Sequence, residues 1–244
     1  MSHRHRPQRN RPALLTLMVA VAVAVALVLS GCGGSSGKAE QEASPTQVMT
    51  KAKKLFDDAS SVHIVLATSS TPAEGNGVLG ATGDTTPDPA FTGEVKVLLG
   101  GLTATVPITS TGGKVYAKLP LQTQYSVIKP SEYGAPDPAD FARPDGGLSS
   151  LLTQLSDLKK GKQTRDGDTI LTTYGGTLPG AVVKKIIPSA DSSTDYATTV
   201  GVDDKGYAIK VRITGPFFAD GKDVTYNVGF SEYDAGVKIS APAA

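Results

Sequence analysis

Alternating apolar and polar residues, interrupted by pairs of glycines, constrain the fold of this chain more than any other feature. In one strand-like segment Val95, Val97 and Leu99 lie on one face, and charged residues lie on the other. Glycine pairs at 100–101 and 112–113 separate such segments, and a two-glycine loop is typical of a tight hairpin. The pattern therefore predicts antiparallel strands joined by short turns.

The remaining periodicity adds a few helices to this sheet. We predict strands over 63–68, 91–99, 102–110, 114–119, 169–174, 196–202, 207–214 and 224–233. We predict helices from 45 to about 59, where Ser44, Pro45 and Gln47 form a capping pattern, over about 148–160, and over about 179–187. Since no strand–helix–strand rhythm appears, the fold class is α+β, with one domain over 45–244.

The first 31 residues are predicted to be a lipoprotein signal peptide. Four arginines and no acid precede an apolar run from Ala13 to Leu29. Leu29-Ser30-Gly31-Cys32 then matches a lipobox, in which the cysteine thiol takes a diacylglyceryl group. The alternative is an uncleaved membrane anchor with an incidental cysteine.

Cleavage before Cys32 would leave 20 basic and 23 acidic residues. Acyl chains on Cys32 would hold the protein at the outer face of the cell membrane. Residues 33–44 are rich in glycine, serine and charged residues and are predicted to form a flexible tether, with an r.m.s. reach of roughly 19 Å. The body would therefore stay near the membrane surface.

Composition argues against several classes of function. The chain has 24 Lys+Arg and 23 Asp+Glu, so no basic field indicates nucleic-acid binding. Its single cysteine excludes a disulfide framework, and His63 is the one histidine beyond residue 5, so we predict neither a metal site nor a cofactor. A glycine motif at 75–80 matches a dinucleotide-binding pattern, but no helix can follow it, and we predict a loop there.

The apolar faces of the predicted sheet and helices allow two interpretations. They form a filled core, or they stand apart and enclose a lipid cavity. Periodicity does not separate the two, because a core and a dry cavity use the same residue types.

A resemblance to a known family favours the cavity. The chain resembles the LppX/LprAFG family of actinobacterial and mycobacterial lipoproteins, and is most similar to its LprG-like members. The similarity includes the lipobox at 29–32, LFDDASSVHIVL (55–66), FTGEVKVLLGG (91–101), GGKVYAKL (112–119), PDGGLSSLLTQLSDLKKGK (144–162), VVKKIIP (182–188) and the closing strand from Val224. These motifs are packing and turn patterns, so they are more specific for fold than for ligand.

The resemblance implies a half-barrel, in which a bent antiparallel sheet and the helices on its concave face enclose an apolar cavity. It also implies a carrier of acylated lipids or glycolipids, such as phosphatidylinositol mannoside, lipoarabinomannan or triacylglycerol, working with a membrane lipid exporter. Some family members carry a tryptophan near the entrance, whereas this chain offers Tyr125 and Tyr133.

The hypothesis names both sides of such a cavity. The residues expected on its sheet side are Val95, Val97, Leu99, Ile209, Val211, Ile213, Val228 and Phe230, and those expected on its helix side are Leu151, Leu155, Val183 and Ile187. Two other functions stay open. A scaffold or adhesion lipoprotein would have a filled core, and an esterase would use His63 as its base, although the chain has no G-x-S-x-G motif.

Overall fold

The computed structural model describes residues 42–70 and 76–243. Residues 43–244 form one compact unit, and the buried apolar core of the described chain lies within it. This unit therefore carries a core of its own. The predicted signal peptide and Cys32 lie outside the described residues.

Eleven strands form a single antiparallel sheet. The strands are β1 (Val62–Thr68), β2 (Gly77–Thr86), β3 (Ala90–Leu99), β4 (Leu102–Thr111), β5 (Lys114–Ala117), β6 (Ser126–Ile128), β7 (Ser156–Asp166), β8 (Thr169–Pro179), β9 (Asp195–Val202), β10 (Ala208–Pro216) and β11 (Asp223–Ser231). Their order is β6-β5-β4-β3-β2-β1-β11-β10-β9-β8-β7. Because β1 pairs with β11, the two ends of the domain meet at the centre of the sheet.

The helices are few and mostly short. They are α1 (Pro45–Asp58), α2 (Ser150–Thr153), α3 (Gly180–Ile186), and two 3₁₀ helices at Pro130–Tyr133 and Pro138–Ala142. The predicted capping box of α1 is confirmed, with Ser44 and Gln47 bonding each other's backbone amides. Phe56 of this helix packs edge-on against Phe230, with ring centroids 5.3 Å apart. Helix α1 is thereby fixed to the sheet by its apolar stripe.

The predicted hairpin turns are confirmed and have the expected backbone. Gly100 and Gly101 have φ of 56° and 81°, and Gly112 and Gly113 have 58° and 71°. Residues with side chains rarely adopt such angles. A third hairpin closes between β9 and β10, where the Asp203 carboxylate accepts bonds from three amides, those of Lys205, Gly206 and Tyr207.

The predicted helix over 148–160 is wrong. Helix α2 ends at Thr153, and β7 begins at Ser156. Asp157 adopts a left-handed φ of 51°, which a continuing helix does not allow. The leucine spacing that suggests one helix combines a single helical turn with the start of a strand.

The predicted loop at the glycine motif 75–80 is also wrong for its described part. Gly77 begins strand β2, which the sequence analysis did not predict. Gly80, Gly83 and Gly93 sit where an added Cβ would come within 3 Å of a neighbouring strand's backbone. Glycine at these positions allows neighbouring strands to approach closely. Because glycine has no side chain, the alternation of apolar and polar residues in β2 is weak.

Candidate functional site

An apolar cavity lies between one half of the sheet and the segment that follows β6. The space between its walls is about 720 Å³, a figure that includes the part open to solvent. Its lining side chains are aliphatic, proline or aromatic: Val78, Ala81, Val95, Val97, Leu99, Ala104, Val106, Ile108, Leu119, Pro120, Ile128, Pro130, Tyr133, Ala135, Pro136, Pro138 and Phe141. Such a surface suits a hydrocarbon and offers no charged group to a polar ligand.

The sheet side of the cavity is open because its residues are small. Valines and alanines of β2, β3 and β4 point inward, and Val95 and Val106 lie directly opposite each other in the ladder. Directly paired residues lie on the same face of the sheet. Because both side chains of such a pair are short, they leave the space above the sheet unfilled. We call β2–β6 with their covering segment the cavity half.

Two 3₁₀ helices form the roof over this floor, and polar contacts fasten the roof to the sheet. The Asp137 carboxylate accepts bonds from the Ser110 hydroxyl at 2.6 Å and the Ala139 amide at 2.9 Å. The ring of Phe141 meets that of Phe91 edge-on, with centroids 6.4 Å apart. The roof is therefore attached at the end of the cavity near Phe91.

Exposure increases toward the opposite end, at the β3–β4 turn. Ile108, Phe141 and Val106 are buried, whereas Leu99, Ala104 and Leu119 are half-exposed. We call the end near Leu99, Ala104 and Leu119 the mouth. A ligand's polar part would remain there in contact with solvent or a membrane.

Strands β8–β11, by contrast, pack on a filled core, whereas β7 at the sheet edge is exposed along almost its whole length. We call β7–β11 with this core the filled half. Phe217 lies between two tyrosine rings, with centroids 4.8 Å from Tyr196 and 4.5 Å from Tyr226. All three side chains are fully buried. The Tyr226 hydroxyl donates to the carbonyl oxygen of Val78, and burial raises the pKa of Tyr226 well above its usual value of 10.

The structure places three of the twelve proposed lining residues in the cavity. Val95, Val97 and Leu99 lie along its floor. The other nine lie elsewhere: Leu151, Leu155, Val183, Ile187, Val211, Ile213, Val228 and Phe230 belong to the core or pack against it, and Ile209 is half-exposed on β10. The pairing of β10 with β9 shifts register between Ala208 and Lys210, which turns Ile209 off the alternating pattern.

The sequence analysis missed the roof of the cavity. Pro130, Pro136, Pro138 and Phe141 belong to a segment for which we predict neither a helix nor a strand. A cluster of prolines and apolar residues in a loop is the signal that could have identified it. Proline has no backbone N–H that needs a partner, so a proline-rich segment can cover an apolar surface.

His63, the proposed base of an esterase, lies opposite Asp84 in the β1–β2 ladder. Its Nδ1 is 2.8 Å from an Asp84 carboxylate oxygen, and its Nε2 is 3.4 Å from the Thr82 hydroxyl. The order hydroxyl, imidazole, carboxylate resembles a hydrolase triad. However, β2 is paired on both sides, so its amides serve the ladders rather than an oxyanion hole.

Within 42–70 and 76–243, no helix is long and apolar enough to cross a membrane. Over those same ranges, no group of three or more histidine, cysteine, aspartate or glutamate side chains gathers to hold a metal ion.

Sequence and structure comparisons agree on the class of protein that this fold defines. Residues 44–239 match the family described as LppX_LprAFG lipoprotein. The lipoarabinomannan carrier proteins LprG of Mycobacterium tuberculosis and Mycobacterium bovis are 30% identical over 176 residues, which cover 71% of this chain and 70% of each relative. The chain therefore belongs to the LppX/LprAFG family of lipoproteins.

Solved structures support the same fold. LprF from Mycobacterium bovis superposes with a TM-score of 0.68 at 18% identity, over 82% of this chain and 97% of LprF. LppX from Mycobacterium tuberculosis gives a TM-score of 0.58 at 18% identity, over 80% of this chain and 98% of LppX. The predicted family and the large antiparallel sheet with few helices are thus confirmed.

Proposed function

We propose that this protein is a membrane-anchored lipoprotein that binds acylated lipids or glycolipids and carries them between layers of the cell envelope. The observation that carries the proposal is the cavity, which is lined by apolar side chains that become more exposed toward one end. An acyl chain would occupy the space above Val97, and the headgroup would remain at the mouth. The LprG relatives, named as lipoarabinomannan carriers, support a glycolipid with acyl chains as cargo.

The energetics of acyl transfer fit a carrier that uses no chemical fuel. Each methylene moved from water into an apolar site contributes about 0.8 kcal/mol, so a long acyl chain is held firmly against water. Relative to a bilayer the gain is close to zero, since both sites are apolar. Net direction would therefore come from headgroup contacts, a gradient or a membrane lipid exporter.

The anchor part of the proposal is independent of the cavity. Cys32 would carry the acyl groups after removal of residues 1–31, and 33–44 would tether the domain of 45–244 at the outer face of the cell membrane. Mass spectrometry of the N-terminus of the full chain tests this part: we expect Cys32 as the first residue, with a diacylglyceryl group on its thiol. An intact N-terminus with an unmodified Cys32 would favour the uncleaved anchor.

Mass spectrometry of residues 43–244, purified from an actinobacterial host, tests the cargo. We expect a stoichiometric acylated lipid in the native spectrum and in the organic extract. An empty protein that also takes up no lipid from vesicles would contradict the carrier and favour a scaffold lipoprotein.

A further inference from the structure

Two exposed leucines lie beside the mouth of the cavity. Leu102 is 77% exposed and Leu121 is fully exposed, although most leucines of the described chain are buried or half-buried. Leu121 also has a φ of 70°, a left-handed value that is rare for a bulky residue. Exposed leucines that adjoin an apolar cavity indicate a surface that something apolar covers.

Both leucines continue the lining of the cavity outward. Leu102 is paired with Leu99 across the β3–β4 ladder, so the two side chains share the face that forms the floor. Leu121 follows Leu119 and Pro120, which both line the cavity. A hydrocarbon leaving the mouth would therefore meet these two side chains next.

The distribution of charge around the mouth matches a lipid bilayer. The stretches 97–113 and 119–128 contain no charged residue, and Lys118 and Lys129 bracket the second stretch. Tyr125 lies within it and is half-buried. A segment that enters the apolar layer of a bilayer is expected to have an uncharged tip with leucine and an amphipathic tyrosine nearby. Its lysines are expected to lie further back, where they reach the lipid phosphates.

We propose that the rim formed by Leu102 and Leu121 inserts into a lipid bilayer and places the mouth against the membrane. This inference rests on the proposed function, because it concerns how the cavity is loaded. If the mouth opened into water, every methylene of the cargo would be exposed during transfer. With the rim inserted, the acyl chain passes from one apolar region to another without that penalty.

The test compares Leu102→Ser/Leu121→Ser with a matched control, Ile170→Ser, in residues 43–244. Ile170 is 51% exposed on β8, in the half of the sheet without the cavity. The probe is a vesicle of phosphatidylcholine and phosphatidylglycerol carrying a pyrene-labelled diacyl lipid. We expect the double variant to lower both vesicle partition and the transfer rate about tenfold or more, and the control to leave both within about twofold.

Three outcomes would each overturn the docking proposal. They are equal losses in the control and the double variant, an unaffected double variant, and no vesicle binding by the parent protein. A second measurement separates this from failure of the carrier itself. Loading is measured with a short-chain lipid below its micellar concentration, where no bilayer is present. Unchanged loading of the double variant there supports a role in docking alone, whereas no loading of the parent protein from either source would overturn the proposed function.

Discussion

The cavity half and the filled half of this protein are built from the same kind of strands, yet only one contains space for a ligand. In the cavity half, the inward positions of β2–β4 are mainly valine and alanine. In the filled half, Tyr196, Phe217 and Tyr226 occupy the interior. Side-chain volume on the inner face, rather than the apolar pattern itself, therefore decides where a cavity forms.

The two halves also differ in what covers the sheet. Proline-rich 3₁₀ helices cover the cavity half and are fastened by Asp137 and Phe141 at one end. Helices α1 and α3 pack directly against strands of the filled half. A roof attached at one end leaves the opposite end open, which accounts for the position of the mouth.

The sharpest test of this difference inserts the same large side chain into each half. Val97→Trp should fill the cavity and abolish lipid binding with little change in stability, because Val97 faces free space. Val211→Trp should destabilise the fold by about 3 kcal/mol, since Val211 is 2% exposed between Val200 and Val228. Lipid stoichiometry by native mass spectrometry and urea unfolding measure the two effects.

The parent chain has no tryptophan, so each variant also carries a single fluorescent reporter. Added lipid should leave the emission of the Val97→Trp variant unchanged if the cavity is filled. Retained lipid stoichiometry in that variant would show that the acyl chain lies elsewhere.

Shortening a leucine in each half should give the next largest contrast. Leu178→Ala should cost about 2–5 kcal/mol, because Leu178 is fully buried in the filled half. Leu99→Ala should cost about 1 kcal/mol or less, because Leu99 borders space that is already empty. Urea unfolding of ligand-free protein measures both, and equal costs would contradict the division into two halves.

A smaller effect is expected at the hydrogen bond that joins the halves. The Tyr226 hydroxyl of β11 donates to the Val78 carbonyl of β2, and Val78 lines the cavity. Tyr226→Phe should lower stability by about 1–2 kcal/mol, because it leaves a buried carbonyl without this donor. Tyr125→Phe, in the loop beside the mouth, is the matched control and should be neutral in the same unfolding assay.

The smallest expected change in stability is that caused by alkaline pH, which acts through two tyrosines whose hydroxyls are buried. Burial raises the pKa of Tyr226 and Tyr233 above their usual value of 10. Both hydroxyls then keep their protons in the folded state while the unfolded chain loses them. This contribution is complete well below pH 10, falls as the pH approaches and passes 10, and is lower by about 1 kcal/mol at pH 10 for the pair together. Thermal unfolding from pH 8 to 10.5 measures this, and Tyr226→Phe should reduce the pH dependence.

Strands with strong local signals are predictable from the sequence here. Glycine pairs at 100–101 and 112–113 mark turns whose geometry requires glycine, and the capping box of α1 lies within four residues. The prediction fails where a signal is mixed or weak. Leucines 151–158 follow a helical spacing but are divided by the left-handed Asp157, and β2 contains glycines that carry no side-chain pattern.

The location of the cavity required the tertiary structure. Val97 and Val211 are both valines in strands of alternating apolar and polar residues, and both are buried, with exposed fractions of 8% and 2%. Val97 faces the cavity and Val211 faces a filled core because of what lies across from them, the proline-rich roof in one case and the interior of the filled half in the other. The sequence by itself determined eight of the eleven strands, the glycine turns, the cap of α1 and the family resemblance, since these depend on neighbours along the chain. Only the tertiary structure decided which apolar face remains open, because empty space depends on residues that are distant in sequence.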